Sequence, residues 1–198
     1  MNAEITPPAM ACAMFVALAL AVGGVAHVAW LRSPWSRRFN LPLDGYATWR
    51  GRRLFGGNKT WRGLMVLPAG AAFGFWLGSQ LRDYLPTWLA AGIWNRPPSQ
   101  LALAGLLCGF AFMLAELPNS FFKRQLGVAP GQEARQPWVR AVCLFVDRTD
   151  STLGTLLALH LMLPLPALAW LWLPLFGISV HWVFSYAMYL LKLKPRPS

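Results

Sequence analysis

The chain has few charged residues, and the acidic ones are the scarcer kind. Charged residues make up 13% of the 198 residues, seven acidic and 18 basic, while 56% are hydrophobic. A soluble domain carries about twice that share of charge, so an ordinary soluble fold is excluded. The formal net charge of +11 would favour nucleic-acid binding in a soluble protein. Here the basic residues lie between apolar segments, which indicates a membrane protein with anionic substrates.

The chain also lacks the C-x-x-C spacing of cysteine-based sites and the glycine spacing of a P-loop. The three cysteines, Cys12, Cys108 and Cys143, lie in apolar segments and form no C-x-x-C spacing. This argues against a disulfide framework and against a zinc site, and the cysteines are interpreted as small buried hydrophobic side chains. The G-x-x-x-x-G-K-[ST] spacing of a P-loop is absent as well.

Five apolar segments are long enough to cross a bilayer as helices. They run over residues 9–31, 63–81, 101–117, 139–163 and 167–191. Glu4 is the only charge before the first segment, so that segment is interpreted as a retained helix rather than a signal peptide. Pro118 predicts a kink or a restart after the third segment. We therefore predict an all-α integral membrane protein of about five transmembrane helices, with residues 1–198 forming a single polytopic domain.

Basic residues are distributed unevenly between the connectors. The first connector holds eight, the second two, the third four and the C-terminal tail three. Alternating spans place 15 of these on one side of the membrane and two on the other, and the positive-inside rule makes the basic side cytoplasmic. We expect the N-terminus outside, the C-terminus in the cytoplasm and cytoplasmic loops at about residues 32–62 and 118–139. The location is then the cell (inner) membrane, with a site that faces the cytoplasm.

Two carboxylates interrupt the fourth apolar segment. Asp147 and Asp150 are three residues apart, so they share one face of a helix. Each costs roughly 2.5–3.5 kcal/mol on membrane-insertion scales. A structural ion pair with Arg148 is one interpretation, but it accounts for a single carboxylate, and Arg148 projects about 100° away from Asp147. The pair therefore predicts a site for hard cations that carry phosphates, since magnesium takes carboxylate oxygens and completes its shell with substrate phosphates.

A glycine-containing basic loop precedes the second apolar segment. In Gly56-Gly57-Asn58-Lys59-Thr60, glycines let backbone N–H groups approach phosphate, and Lys59 adds a point charge. A determinant of topology is the alternative interpretation. The predicted topology brings this loop, the stretch 116–124 and the carboxylates to the cytoplasmic half of the membrane, with Asp147 about 12 Å deep at 1.5 Å per residue. Such an arrangement favours phosphoryl or nucleotidyl transfer at the membrane surface.

Two stretches form a known pattern when taken together, Ser120-Phe121-Phe122-Lys123-Arg124 and Asp147-Arg148-Thr149-Asp150. They resemble the signature of the CTP:phosphatidate cytidylyltransferases. With Asn58-Lys59-Thr60-Trp61-Arg62-Gly63 and Lys123-Arg124-Gln125-Leu126-Gly127, the five-helix chain is more similar to the CDP-archaeol synthase family. The resemblance covers residues 54–154. It implies that CTP is joined to a lipid phosphate, with magnesium as cofactor and pyrophosphate as the released product.

The resemblance also implies roles for the matched positions. Asp147 and Asp150 would hold the metal, and Glu116, which stands where the family usually has Asp, is a further candidate ligand. The catalytic residues would be Lys123, Arg124, Asp147 and Asp150. The residues that contact phosphate or nucleotide would be Asn58, Lys59, Thr60, Arg62, Ser120, Lys123 and Arg124. The stretch 131–139 lacks the His-Gly-Gly of the phosphatidate enzymes, which favours the archaeol-type branch.

The expected partners are CTP, a membrane lipid phosphate (archaeol-phosphate-like or phosphatidic acid) and the bilayer. Nucleic acid is not expected, and a homodimer is left open. A transporter whose intramembrane carboxylates carry cations or protons is the alternative function, and a non-catalytic scaffold is a third. Transport predicts inverted repeats and carboxylates near the midplane, whereas five spans form no equal halves and the charges lie toward one face.

Overall fold

Five long helices account for most of the computed structural model, which describes residues 6–192. The helices are α1 (Ala9–Arg32), α2 (Trp61–Gln80), the short α3 (Thr87–Ala90), α4 (Pro98–Gln125), α5 (Pro137–Met162) and α6 (Ala169–Leu190). Two 3₁₀ turns, Pro34–Phe39 and Arg82–Tyr84, and an antiparallel hairpin of β1 (Thr48–Trp49) with β2 (Arg52–Arg53) lie in the connectors. Two of the basic tail residues, Lys194 and Arg196, lie outside the described residues.

The long helices agree with the predicted apolar segments, four of them to within two residues at each end. Within residues 6–192, α1, α4 and α6 are long and apolar enough to cross a membrane, with mean hydropathies of 2.3, 1.9 and 1.3 over 18 residues. α2 and α5 have the length, at 20 and 26 residues, and α5 contains the charged run at 147–150. The prediction of an all-α membrane protein is confirmed. The count of five spans, the single domain and the side of each terminus stay predictions.

The predicted restart at Pro118 is wrong, because α4 continues through this residue to Gln125, whereas the alternative of a kink stays a prediction. Proline removes one helical N–H, but the α4 residues beyond it, Asn119 and Lys123, are bonded to Asp147 of α5. These bonds hold the end of α4 in place. The connector between α4 and α5 therefore covers residues 126–136, and the extent of the cytoplasmic loop predicted at about 118–139 stays a prediction.

Glycines allow close contacts between successive helices. At several of them an added Cβ would overlap the backbone of the neighbouring helix. The pairs are Gly74 with Ala19 (α2 and α1), Gly109 with Pro68 (α4 and α2) and Gly154 with Ala111 (α5 and α4). Small residues drive helix packing in a bilayer, where apolar burial supplies little energy. α1, α2, α4 and α5 therefore form one close-packed unit.

The apolar core occupies the half of the bundle away from the charged run at 147–150. Phe75, Leu101 and Leu156 are 0% exposed there, and Trp94 folds inward and donates to the Pro164 carbonyl at 2.9 Å. This half contains the C-terminal end of α2 and the N-terminal end of α4. The opposite half, where the chain passes from α1 to α2, is left for polar side chains.

Candidate active site

Two ion pairs join α4 to its neighbours in the polar half of the bundle. The Lys123 ammonium group donates to both carboxylate oxygens of Asp147 on α5. Lys59, just before α2, pairs with Glu116. Glu116 and Lys123 are seven residues apart, two turns along one face of α4. The loop, the α4 stretch and the carboxylates that the sequence predicted to converge are therefore brought together.

Asn119 connects the two carboxylates of α5. Its Nδ2 donates to Asp147 Oδ1 at 2.6 Å and to Asp150 Oδ2 at 3.1 Å, so these two oxygens are at most 5.7 Å apart. Sequence reasoning missed Asn119. The available signal was its spacing of four from Lys123, which places both side chains on one helical face. That signal was not used because a kink or a restart was predicted at Pro118.

The carboxylate pair fits a hard divalent cation. Both aspartates offer oxygen ligands, and Mg²⁺ in proteins is usually held by one or two carboxylates together with substrate phosphates. Within residues 6–192, no group of three or more His, Cys, Asp and Glu side chains comes close enough to form a metal site from protein ligands alone. A pair of ligands leaves coordination positions for phosphate. The role of Glu116, which pairs with Lys59, as a third ligand stays a prediction.

Arg148 is directed away from the carboxylates, as its helical position predicts. Its guanidinium lies 4.0 Å from the centre of the Trp182 ring on α6, a cation–π contact. The residue is 7% exposed. Asp147 is paired with Lys123 instead, so the interpretation of Asp147–Arg148 as a structural pair is not supported.

The glycine loop is held by a carboxylate that sequence reasoning missed. The Asp44 side chain is fully buried and pairs with Arg53. It also accepts hydrogen bonds from the backbone N–H groups of Phe55 and Gly56, each at 3.1 Å. Burial raises the pKa of this carboxyl group, but hydrogen bonds from Arg53 and from the Gly56, Phe55 and Tyr46 amides outweigh burial and lower it to about 2. The signal in the sequence was a lone acidic residue in a basic connector.

The segment before α2 is fixed at both of its ends. Gly56 has a φ of +94°, a conformation that other residues rarely adopt, and a Cβ there would come within 2.9 Å of Pro130. The Leu43 N–H donates to the Lys59 carbonyl at 2.8 Å. Burial lowers the pKa of the Lys59 ammonium group, but the charge of Glu116, with those of Asp150 and Asp147, outweighs burial and raises it. Lys59 is thus a protonated, positioned side chain.

Replacing Asp44 by asparagine is expected to loosen the hairpin and the glycine loop. Hydrogen bonds to a charged group each contribute about 1.5–3 kcal/mol, and the variant weakens several at once. Limited trypsin digestion, read by mass spectrometry, should show faster cleavage after Arg50, Arg52 and Arg53. Because the pKa of Asp44 is lowered, its stabilisation should be complete above about pH 4, the ordinary pKa of aspartate, and lost as the pH falls toward 2.

Asp83→Asn is the matched control, since Asp83 is an exposed aspartate in the 3₁₀ turn Arg82–Tyr84, at the other end of α2. Equal cleavage of wild type and Asp44→Asn would contradict the role assigned to Asp44.

A basic groove of about 430 Å³ opens beside the glycine loop. It is lined by Arg52, Arg53, Gly56, Gly57, Arg124, Gly127, Val128, Ala129 and Pro130. Arg124 is 8% exposed, and its Nε and Nη1 are buried without a hydrogen-bond partner among residues 6–192. A buried cation with unused donors is costly unless an anion binds to it. The groove therefore has the character of a phosphate site, and sequence reasoning had identified only Arg124 among its three arginines.

A second cavity, of about 390 Å³, lies inside the helix bundle. Four residues predicted to contact phosphate or nucleotide, Asn58, Lys59, Thr60 and Arg62, line this cavity and not the basic groove. Ser120 is buried on α4 and lines neither. The predicted binding residues are therefore divided between two compartments, an arrangement that spacing along the chain does not show.

Comparison with solved structures supports the membrane fold. One solved structure, described as an intramembrane enzyme for archaeal membrane lipids biosynthesis, superposes with a TM-score of 0.57. The two chains are 20% identical, and the match covers 84% of this chain and 90% of the other. At this identity the likeness shows the shared fold.

Comparison of sequences identifies the family. A CDP-archaeol synthase of Hyperthermus butylicus is 31% identical over 159 residues, covering 79% of this chain and 80% of the relative. The CDP-archaeol synthase of Pyrococcus furiosus is 28% identical over 162 residues, covering 79% and 83%. The family model described as CarS-like, CDP-archaeol synthase, matches residues 40–197. This chain therefore belongs to the CarS-like CDP-archaeol synthase family.

Proposed function

We propose that this protein transfers the cytidylyl group of CTP to a membrane lipid phosphate and releases pyrophosphate. The observation that carries the proposal is the pair of carboxylates, Asp147 and Asp150, joined by Asn119 and flanked by Lys123. Oxygen ligands beside cationic side chains suit the handling of polyphosphate. Family membership supports an archaeol-type lipid phosphate as the acceptor.

The reaction is a direct displacement at the α-phosphorus of CTP. An oxygen of the lipid phosphate forms the new bond to that phosphorus, and the bond to the oxygen that bridges to the β-phosphate breaks. The bonding electron pair leaves with pyrophosphate. A phosphate monoester is already ionised near neutral pH, so no serine or cysteine nucleophile is required, and Ser120 is assigned as a ligand.

Charge on the triphosphate and on the departing pyrophosphate is offset by the cationic side chains. Lys123 and Arg124 lie on the last turn of α4, where their charges are fixed before substrate binds, and such preorganisation lowers the barrier. Magnesium held by Asp147 and Asp150 would supply further neutralisation of the triphosphate. The basic groove, with three arginines and the Gly56–Gly57 backbone, is the compartment that we assign to the triphosphate, on the cytoplasmic side.

The transporter alternative is not favoured. The far half of the bundle, which an ion from Asp150 would have to cross, has an apolar core that includes the fully buried Phe75, Leu101 and Leu156.

Purified full-length protein supplied with CTP, magnesium and a dialkylglycerol phosphate tests the proposal. We expect CDP-lipid and pyrophosphate in equal amounts, and neither product when the lipid phosphate or CTP is omitted. Phosphatidic acid in place of the ether lipid tests the acceptor class. Absence of CTP-dependent pyrophosphate release with either lipid, from protein that remains folded, would contradict the proposed activity.

A further inference from the structure

The cavity inside the bundle is elongated along the helix axes. Its lining runs from Ala17 to Leu31 on α1, about 21 Å at 1.5 Å per residue, and from Leu173 to Met188 on α6, about 22 Å. It therefore extends from the polar half of the bundle into the apolar half. A compartment of this shape suits a long, narrow ligand better than a compact one.

The two ends of the cavity differ in chemistry. One end is polar, with His27, Asn58, Lys59, Thr60, Arg62 and Glu116 in its lining. The remainder is mostly apolar and includes Ala17, Leu20, Leu67 and Leu173, with a few hydroxyl groups among them (Ser151, Thr152, Thr155 and Ser185). CTP carries several negative charges and a polar base, and apolar walls would exclude it from most of this space. A molecule with one anionic group at the end of a hydrocarbon chain is complementary to both ends.

The polar end contains a cationic side chain, that of Arg62, with a hydrogen-bond donor that an anion could use. Lys59 is paired with Glu116, whereas the Arg62 Nε is buried and has no hydrogen-bond partner among the described residues. Lys59, Arg62 and Glu116 together carry one net positive charge in this part of the lining. A phosphate would satisfy the unused Arg62 donor and balance that charge.

The polar end also adjoins the carboxylate pair. Ser151 lines the cavity and directly follows Asp150 on α5, and Glu116 lies three residues before Asn119 on α4. A phosphate bound at Arg62 therefore lies near the side chains that we assign to the reaction. Arg124, in the basic groove, directly follows Lys123, which pairs with Asp147, so each compartment is lined by a residue next in the chain to a member of this cluster.

We propose that the cavity binds the acceptor lipid, with its phosphate at Arg62 and Lys59 and one hydrocarbon chain between α1 and α6. This proposal rests on the proposed function and extends it by separating the two substrates. Lys59, Thr60 and Arg62, which the sequence assigned to nucleotide or phosphate, then belong to the lipid side, and the triphosphate occupies the basic groove.

Steady-state kinetics with CTP and lipid phosphate varied separately test this separation. Arg62→Ala should raise the KM for lipid phosphate by about tenfold to a hundredfold, the loss of a charged hydrogen bond. Its KM for CTP should stay within about twofold, since no CTP contact is removed. Arg52→Ala, in the basic groove, should show the reverse pattern. A rise in the KM for CTP alone in Arg62→Ala would overturn the assignment.

A matched pair of substitutions on α6 tests the position of the chain. Val180 lines the cavity, whereas Val183 is 67% exposed on the outside of the helix. Val180→Phe should raise the KM for a long-chain lipid phosphate and have less effect with a short-chain one. Val183→Phe should behave as wild type with both. Wild-type kinetics in Val180→Phe would contradict a chain at this place.

Photocrosslinking of the wild-type protein separates this proposal from the proposed activity and needs no variant to fold. A dialkylglycerol phosphate with a photoreactive group in its chain should label cavity-lining residues of α1 and α6, located by mass spectrometry. Labelling there without turnover would support the cavity assignment and contradict the activity. Turnover with labelling confined to the outer surface would overturn the cavity assignment alone.

Discussion

Asp147→Asn and Asp150→Asn are each expected to abolish cytidylyl transfer, a loss of more than about a thousandfold in kcat, while the protein stays folded in the membrane. Asparagine keeps the shape of the side chain but removes its charge. Each variant removes one of the two negative charges at this site, where both carboxylates accept a hydrogen bond from Asn119 Nδ2. The measurement is pyrophosphate release at saturating CTP and lipid phosphate, with the magnesium concentration varied.

Thr149→Ala is the control, because Thr149 lies in the same turn and its hydroxyl group donates to the Phe145 carbonyl of its own helix at 3.0 Å. Its turnover should remain close to that of wild type. Near-normal turnover of either asparagine variant at saturating magnesium would remove that aspartate from the set of metal ligands.

Arg124→Ala is expected to lower kcat by about a hundredfold to a thousandfold, the effect of losing one electrostatic contact to developing charge. Arg124 is buried against the glycine loop with two nitrogen atoms that lack partners among residues 6–192. Arg124→Lys should remain impaired, because lysine restores the charge but not the planar fork that binds two phosphate oxygens. Single-turnover and steady-state rates of both variants provide the measurement.

Arg140→Ala serves as the control for a lost basic residue. Arg140 is exposed in the first turn of α5, and its nearest acidic partner is Glu133 at 3.6 Å. It should retain turnover, since surface pairs of this kind contribute little. Wild-type kinetics in Arg124→Ala and Arg124→Lys together would leave Arg124 as a determinant of topology only.

The long helices were predictable from the sequence because each apolar segment has the length that a bilayer imposes. The same reasoning selected Asp147 and Asp150, since charge in an apolar context is costly and stands out. Lys123 and Arg124 were assigned through the resemblance to a family. The restart predicted at Pro118 is wrong because a local rule for helix ends was applied where contacts between helices decide the outcome. Those contacts, from Asn119 and Lys123 to α5, join residues more than 20 positions apart.

The division of the site into two compartments could not be predicted from spacing. Gly57 and Asn58 are adjacent in the chain, yet Gly57 lines the basic groove and Asn58 the cavity inside the bundle. Which side a residue faces depends on the turn that Asp44 fixes through Phe55 and Gly56. The sequence indicates a phosphate-binding loop, and only the folded chain shows that the loop borders two sites.

The way in which α6 contacts the bundle has a mechanical consequence. Glycines bring the backbones of α1, α2, α4 and α5 into direct contact. These contacts are rigid, because they contain no side chain that could change its conformation. α6 instead meets α1 through the ring of Phe184 at Gly24, and α5 through the side chain of Thr152 at Gly177. Side chains can change rotamer at little cost. The cavity thus has stiff walls on one side and a compliant wall on the other. Differences in tail thickness, such as methyl branches, would be absorbed by α6, and we expect selectivity among lipid tails to change most with substitutions on this helix.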